Sequence, residues 1–140
     1  MSDIKNHRDL EAWQVAMDMV DKVYDISATF PPGERFGLTY QIRKAAVSVP
    51  SNIAEGQGYG LVRNSLHYLR IALGSLAEID TQLEIAIRRS FTTREGCAEL
   101  DQLLTSSKRL TAALRNAKAL RLGVSVGSLL VLVVAFHAFW

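Results

Sequence analysis

The sequence predicts an all-α protein, an antiparallel up-down-up-down four-helix bundle with an additional apolar C-terminal helix or tail. Three observations favour this class. Apolar residues recur at spacings of three and four along four stretches, Pro and Gly clusters separate these stretches, and no strand-like alternation competes before Gly123. The connections are short, so neighbouring helices should run antiparallel. We therefore assign residues 9–121 to the bundle and residues 123–140 to the tail.

The first predicted helix follows Asp9, a suitable N-cap, and the sequence FPPG at residues 30–33 ends it. Its apolar stripe has five members: Leu10, Trp13, Met17, Val20 and Tyr24. Because these residues share one helical face, we expect that face to meet the core.

The second predicted helix runs from near Glu34 to Gly56, where glycines begin to punctuate the chain. Its core face is predicted to contain Leu38, Ile42, Ala45, Val49 and Ile53. Pro50 lies inside this stretch and leaves two interpretations open. It either kinks the helix, because it removes an amide donor, or it opens a separate short helix.

The third predicted helix is capped by Asn64 or Ser65 and is the longest of the four. Its apolar stripe is Leu66, Leu69, Leu73, Leu76, Ile79 or Asp80, Leu83 and Ile87. Thr92 and Glu95 have the spacing of a capping box for the fourth helix. The stripe of that helix is Leu100, Leu103, Ser107, Leu110, Leu114 and Ala117.

Length and composition indicate one folded domain. The chain has 140 residues, of which 49% are hydrophobic and 21% charged, too apolar for a disordered protein. The single cysteine, Cys97, excludes an internal disulfide, and three scattered histidines offer no metal-ligand spacing. The charged N-terminus lacks the apolar core of a secretory signal, so a cytoplasmic location is expected.

No catalytic signature is present, so we predict that the chain is not an enzyme and needs no cofactor or metal. His67 is a candidate base, but a lone histidine in a bundle is more often structural or exposed to solvent. Cys97 is expected to be inert. Asn52 and Glu55 form either a small polar site or, as we favour, a capping or interhelix hydrogen bond.

Positive charge is concentrated late in the chain. Residues 88–121 carry eight basic and three acidic residues, whereas residues 1–34 carry three basic and seven acidic ones. The predicted nucleic-acid-binding residues are Arg43, Lys44, Arg88, Arg89, Lys108, Arg109, Arg115, Lys118 and Arg121. They would neutralise phosphates of RNA or DNA without reading bases. Aromatic residues do not interleave with the late basic residues, so base stacking is not predicted, and ordinary solvated charge is the alternative interpretation.

The central helix carries a specific motif, Gln-Ile-Arg-x-Ala-x-x-Ser-x-Pro-x-Asn-Ile-Ala-Glu-Gly. The matching residues are Gln41, Ile42, Arg43, Ala45, Ser48, Pro50, Asn52, Ile53, Ala54, Glu55 and Gly56. Further matches are Leu10, Trp13, Ala16, Pro31, Glu34, Gly74, Ser75 and Glu78. In these positions, over roughly Leu10 to Leu120, the chain resembles the four-helix bundle proteins encoded within intervening sequences of bacterial 23S ribosomal RNA genes.

This resemblance implies a non-enzymatic bundle that assembles into a ring, typically a pentamer, and binds nucleic acid through basic surfaces. The same fold serves as the accessory protein of diversity-generating retroelements, so the resemblance also implies a reverse transcriptase as a candidate partner. From the residues themselves, Val47, Ile71 and Ile85 lie off the main apolar stripes and need cover. We expect them to contribute to a homo-oligomer.

The tail, Gly123 to Trp140, departs from the family pattern and contains no charged residue. Its eighteen residues would make a helix of ~27 Å, just long enough to span a bilayer. Arg115, Lys118 and Arg121 precede it, as expected for an anchor in the inner membrane with the bundle in the cytoplasm. Three other interpretations stay open: an apolar element packed on the bundle or in the ring, a non-native reading frame, and a disordered appendage. A structural or membrane-tethered protein-interaction scaffold is therefore the alternative function.

Overall fold

The computed structural model of the chain describes the backbone of residues 3–58 and 61–138, and side chains as far as residue 123. Within these residues the protein is all-α, with four long helices and no strand. They are α1 (Glu11–Ser27), α2 (Leu38–Gly58), α3 (Val62–Arg88) and α4 (Ala98–Ala138). Short 3-10 turns, His7–Asp9, Pro32–Glu34 and Glu95–Cys97, precede α1, α2 and α4. Helix α2 packs mainly on α3, and α4 packs on both α1 and α3.

The core-facing residues of α1 differ from the predicted stripe. The buried side chains are Ala12, Ala16, Met19, Val23 and Ser27. Of the predicted members, only Leu10, just before the helix, is buried, and Trp13 and Val20 pack at the edge of the core. Met17 and Tyr24 are 37% and 43% exposed. Helix α1 is therefore rotated so that Ala12, Ala16, Met19 and Val23 meet the core, and Met17 and Tyr24 lie at the outer surface.

The predicted core faces of α2 and α3 are largely confirmed. In α2, Ile42, Ala45, Val49 and Ile53 are buried, and Leu38 packs at the edge of the core. In α3, the buried members of the predicted stripe are Leu66, Leu69, Leu76, Ile79 and Leu83. Among the predicted members of the α4 face, Leu100 and Ser107 are buried and Ala117 is exposed.

Several predicted helix ends were wrong. Asp9 does not cap α1, since its carboxylate accepts the amides of Lys5 and Asn6 and so closes the capping box of the preceding turn. Helix α2 begins at Leu38 rather than near Glu34, and the Glu34 carboxylate accepts the Leu38 amide at 2.9 Å. The Asp9 carboxylate thus binds amides one turn before the predicted cap position, and the Glu34 carboxylate binds an amide one turn after the predicted helix start.

The later caps also differ from prediction. Helix α3 begins at Val62 with Leu61 as N-cap, so neither Asn64 nor Ser65 caps it. The predicted box of Thr92 and Glu95 does not form, because Thr93 Oγ1 accepts the Gly96 amide at 3.0 Å in the turn before α4.

Pro50 lies inside a single helix, so the alternative of a separate helix starting there was wrong. Pro50 has no amide hydrogen to donate to the carbonyl four residues earlier. Two side chains in the next turn do donate to nearby carbonyls: Ser51 Oγ to Val47 at 2.8 Å and Asn52 Nδ2 to Ser48 at 2.7 Å. The helix thus retains hydrogen bonds around the missing donor.

The C-terminal tail continues the backbone of α4 to Ala138. Among the described residues, no helix is long and apolar enough to cross a membrane. The side chains beyond residue 123, and with them the predicted membrane anchor and its alternatives, lie outside the described residues.

Candidate nucleic-acid interface

The nine predicted contact residues do not form one surface. They fall into three groups: the α3–α4 corner, the length of α4, and the exposed side of α2. Each group has a different electrostatic environment, which decides how much positive charge it offers to a phosphate.

At the α3–α4 corner, one carboxylate pairs with two of the three arginines. Arg88 Nε lies 3.1 Å from Glu84 Oε1, and Arg94 Nη2 lies 2.9 Å from Glu84 Oε2. Hydrogen bonds from Arg88 and then Arg94 lower the pKa of the Glu84 carboxyl. Arg89, the residue that follows α3, is exposed. Two guanidinium groups therefore share one carboxylate, and the corner is less positive than its three arginines alone indicate.

Lys108 is also paired. Its Nζ lies 2.6 Å from Asp80 Oδ2 on α3, and both side chains are partly exposed. Arg109, the next residue, is exposed. The ion pair links α3 to α4, and it reduces the charge that Lys108 presents to a ligand.

Beyond Asp101 the sequence contains no acidic residue. Arg115 donates to its neighbour Asn116, whose Oδ1 accepts from Nε at 3.2 Å and from Nη2 at 3.0 Å. Partial burial, followed by the positive charge of Arg121, lowers the pKa of the Lys118 ammonium. Lys118 and Arg121 thus repel each other. The residues Arg115, Lys118 and Arg121, which we call the α4 basic cluster, have no carboxylate partner in the described part of the chain.

Arg43 and Lys44 lie on the exposed side of α2, beside a groove of about 490 Å³. Its lining residues, which define the aromatic–cation groove, are Tyr24, Arg35, Phe36, Thr39, Tyr40, Arg43, Lys44 and Val47. Among the described residues no carboxylate lines it, whereas Glu78 lines the adjoining cavity that shares Phe36, Tyr40 and Lys44. The Arg43 guanidinium carbon lies 4.6 Å from the Tyr24 ring centroid, and Arg43 Nε donates to Ser27 Oγ at 2.8 Å.

Sequence reasoning missed this combination. The absence of interleaved aromatic residues was predicted for the basic residues of 88–121, whereas residues 24–44 do bring aromatic and basic side chains together. Arg35 lies over the Phe36 ring at 5.2 Å, and Lys44 lies 5.9 Å from the Tyr40 ring centroid. The signal was present in the sequence as Arg-Phe, then Tyr, then Arg-Lys within ten residues.

The candidate catalytic residues do not come together. His67 is exposed on α3, with its ring 5.5 Å from that of Tyr68, while Cys97 is buried before α4, where its Sγ lies 3.5 Å from Thr92 Oγ1. Asn52 donates to the carbonyl and the hydroxyl of Ser48 within α2, which is neither the predicted capping bond nor the predicted interhelix bond, and Glu55 is exposed. The described histidine, cysteine and carboxylate side chains include no group of three that could hold a metal ion.

Residues 8–113 match the family described as 23S rRNA-intervening sequence protein. The match covers well over half of the chain, including most of the basic residues and the whole aromatic–cation groove. The chain belongs to the 23S rRNA-intervening sequence protein family. No curated protein matches it. The family match ends at residue 113, so the α4 basic cluster lies just beyond it.

Proposed function

We propose that the protein is a non-enzymatic, oligomeric bundle that binds the backbone of RNA or DNA through basic helix surfaces. The observation that carries this proposal is the α4 basic cluster, Arg115, Lys118 and Arg121, on a helix that has no acidic residue after Asp101. Phosphates would relieve the repulsion between Lys118 and Arg121, and release of counterions would drive binding. The family description, which refers to a ribosomal RNA intervening sequence, supports a connection with nucleic acid.

The proposal includes an antiparallel arrangement of consecutive helices. Contacts between α2 and α3 support it, since Ser48 meets Ser75 while Gly56 meets Ser65. Such pairs, in which one residue number rises as the other falls, are typical of an antiparallel hairpin. If the Lys108–Asp80 pair sets the same kind of register, Arg70 lies level with Lys118 and adds a cation beside the α4 basic cluster.

Assembly of several copies would multiply weak phosphate contacts. Three exposed apolar side chains support assembly: Val47, Ile71 and Ile85 are 45%, 39% and 43% exposed. An uncharged groove between α1 and α2 offers a continuous apolar surface in addition to these three side chains. Its lining residues are Trp13, Met17, Val20, Val47, Pro50, Ser51 and Ala54. A second copy packed here would remove that surface from water. The pentameric ring and a reverse transcriptase partner are proposed from the family resemblance alone.

The nucleic-acid proposal is tested by titrating the full chain with a fluorescent RNA at several salt concentrations. Affinity should fall steeply as salt rises. Replacing Arg115, Lys118 and Arg121 with glutamine should make the slope of log affinity against log salt shallower by about two to three. The matched control replaces Lys5, Arg8 and Lys22 with glutamine, which removes the same charge from the acidic N-terminal region. Absence of binding, or an affinity that does not depend on salt concentration, would contradict the proposal.

Self-association is tested by light scattering on the full chain and on Met17→Glu, which places a charge in the uncharged groove. We expect a mass several times that of the protomer for the unaltered chain and a smaller mass for the variant. Ile4→Glu is the matched control, because Ile4 is 55% exposed and lies outside the groove. A monomer at micromolar concentration, also for a truncation ending at Leu122, would contradict the oligomer.

A membrane-tethered protein-interaction scaffold is the second candidate, favoured by the uncharged residues 122–140 directly after the α4 basic cluster. In this arrangement the bundle would remain in the cytoplasm, beside the inner membrane. Fractionation of cells that express the full chain or a truncation ending at Leu122 tests it. If the protein is tethered, the full chain should be found in the membrane fraction and the truncation in the soluble fraction. The same distribution for both would contradict this function.

A further inference from the structure

The aromatic–cation groove combines two kinds of surface that are costly to expose together. The rings of Phe36, Tyr40 and Tyr24 belong to residues that are 85%, 56% and 43% exposed. Exposed aromatic faces in one concave patch are typical of binding sites rather than of inert surface. Each of the three rings has a cation near it, at centroid distances of 4.6 to 5.9 Å.

The cations are positioned without carboxylate partners. Arg43 is held between the Tyr24 ring and the Ser27 hydroxyl, and it is half-buried, so little side-chain entropy remains to be lost when it binds a ligand. Arg35 and Lys44 are exposed. Because no acidic residue lines the groove, its charge complements an anion.

From this geometry we propose that the aromatic–cation groove binds single-stranded nucleic acid, stacking an unpaired base on Phe36 or Tyr40 while Arg35, Arg43 and Lys44 contact the adjoining phosphates. Stacking needs the flat face of a base that is not enclosed in a duplex, and it is tolerant of sequence. A guanidinium plane such as that of Arg43 is a second surface on which a base can stack. The inference rests on the proposed nucleic-acid function, because it names the class of nucleic acid that one of the surfaces takes.

A second copy of the chain fits this groove less well. In a two-fold contact, although not in the head-to-tail contacts of a ring, the same patch meets itself, which would place three cations against three. The uncharged groove on the other side of Val47 lacks this repulsion and is the better surface for self-association. The two grooves share Val47. A second copy bound in the uncharged groove would therefore leave the cations of the aromatic–cation groove open to a ligand.

The test measures binding of the full chain to three fluorescein-labelled probes: a 12-nucleotide oligouridine, an abasic 12-mer with the same phosphates, and a 12-base-pair duplex. Stacking predicts that oligouridine binds about tenfold or more tightly than the abasic probe. The double variant Phe36→Ala with Tyr40→Ala should remove this difference. In the Phe36-containing chain, Tyr40→Phe keeps a ring and should retain the preference.

Leu61→Ala is the matched control, since Leu61 is 70% exposed and lies outside the groove. Equal affinity for oligouridine and the abasic probe would overturn stacking but leave salt-dependent backbone binding intact. Failure to bind any probe would overturn both. A double variant that changes the mass of the assembly, but not the preference for bases, would identify the groove as a self-association surface and overturn the inference.

Discussion

The hydroxyl group of Ser65 on α3 donates a hydrogen bond of 2.5 Å to the carbonyl oxygen of Gly56 on α2. Gly56 lies in the last turn of α2, where carbonyls have no amide donor within the helix. A Cβ atom at Gly56 would lie 3.3 Å from the Ser65 carbonyl oxygen, so glycine permits this close approach. Ser65 therefore stabilises the end of the helix before its own.

Ser65→Ala should reduce the free energy of unfolding by about 1–3 kcal/mol, because it leaves the buried Gly56 carbonyl without a partner. Urea denaturation measures the change. Ser51→Ala is the control, since Ser51 is exposed and its hydroxyl donates to a carbonyl within its own helix. Equal stability of the two variants would contradict the capping role.

Asp80→Asn should increase the affinity for RNA, because it releases Lys108 from its ion pair. The slope of log affinity against log salt should steepen by about one. Stability should change by less than about 1 kcal/mol, since both partners are partly exposed. Glu11→Gln makes the same charge change on α1, and an identical gain in affinity there would show that net charge alone is responsible.

The lowered pKa of Lys118 predicts that the free energy of unfolding depends on pH in the alkaline range. Burial disfavours the ammonium first, and Arg121 adds repulsion. Because the folded-state pKa lies below the unfolded-state value, charged Lys118 costs stability at neutral pH. That cost is relieved as the pH rises through the lowered pKa toward the usual lysine range.

NMR titration of ¹³C-dimethylated lysines measures the Lys118 pKa directly. Arg121→Gln should raise it, although burial should still hold it below the usual lysine value. Arg109→Gln should leave it unchanged. A Lys118 pKa that does not respond to Arg121→Gln would show that the two cations are not close in solution.

Thr111→Val should stabilise the protein. Thr111 is fully buried on α4, and its hydroxyl has no hydrogen-bond partner among the described residues. Valine has nearly the same shape and no polar group to desolvate, so the expected gain is about 1 kcal/mol. Thermal unfolding of the variant measures it, with the exposed Thr105→Val as control. A loss of stability would indicate that the Thr111 hydroxyl is hydrogen-bonded in solution.

Helix α1 shows why the sequence pattern alone did not predict the full core face of a helix. Leu10, Trp13, Met17, Val20 and Tyr24 form a regular apolar stripe, so spacing could not distinguish it from the narrower face with Ala12 and Ala16. The tertiary packing decided between them, because it turned the face with Ala12, Ala16, Met19 and Val23 toward the core. In α2 and α3, where one stripe is clearly the more apolar, the pattern predicted most buried residues.

The sequence by itself determined the four helices, most of the core of α2 and α3, the family, and the concentration of positive charge in residues 88–121. These properties depend on local periodicity, on a contiguous motif and on residue counts. Only the tertiary structure decided which cations are free. Asp80 on α3 pairs with Lys108 on α4, and Glu84 on α3 pairs with Arg94 in the turn before α4. Residues from α1 and α2 meet around the aromatic–cation groove. Charge pairing and stacking act across a few ångströms of space, and residues far apart in the chain become neighbours only after the helices pack.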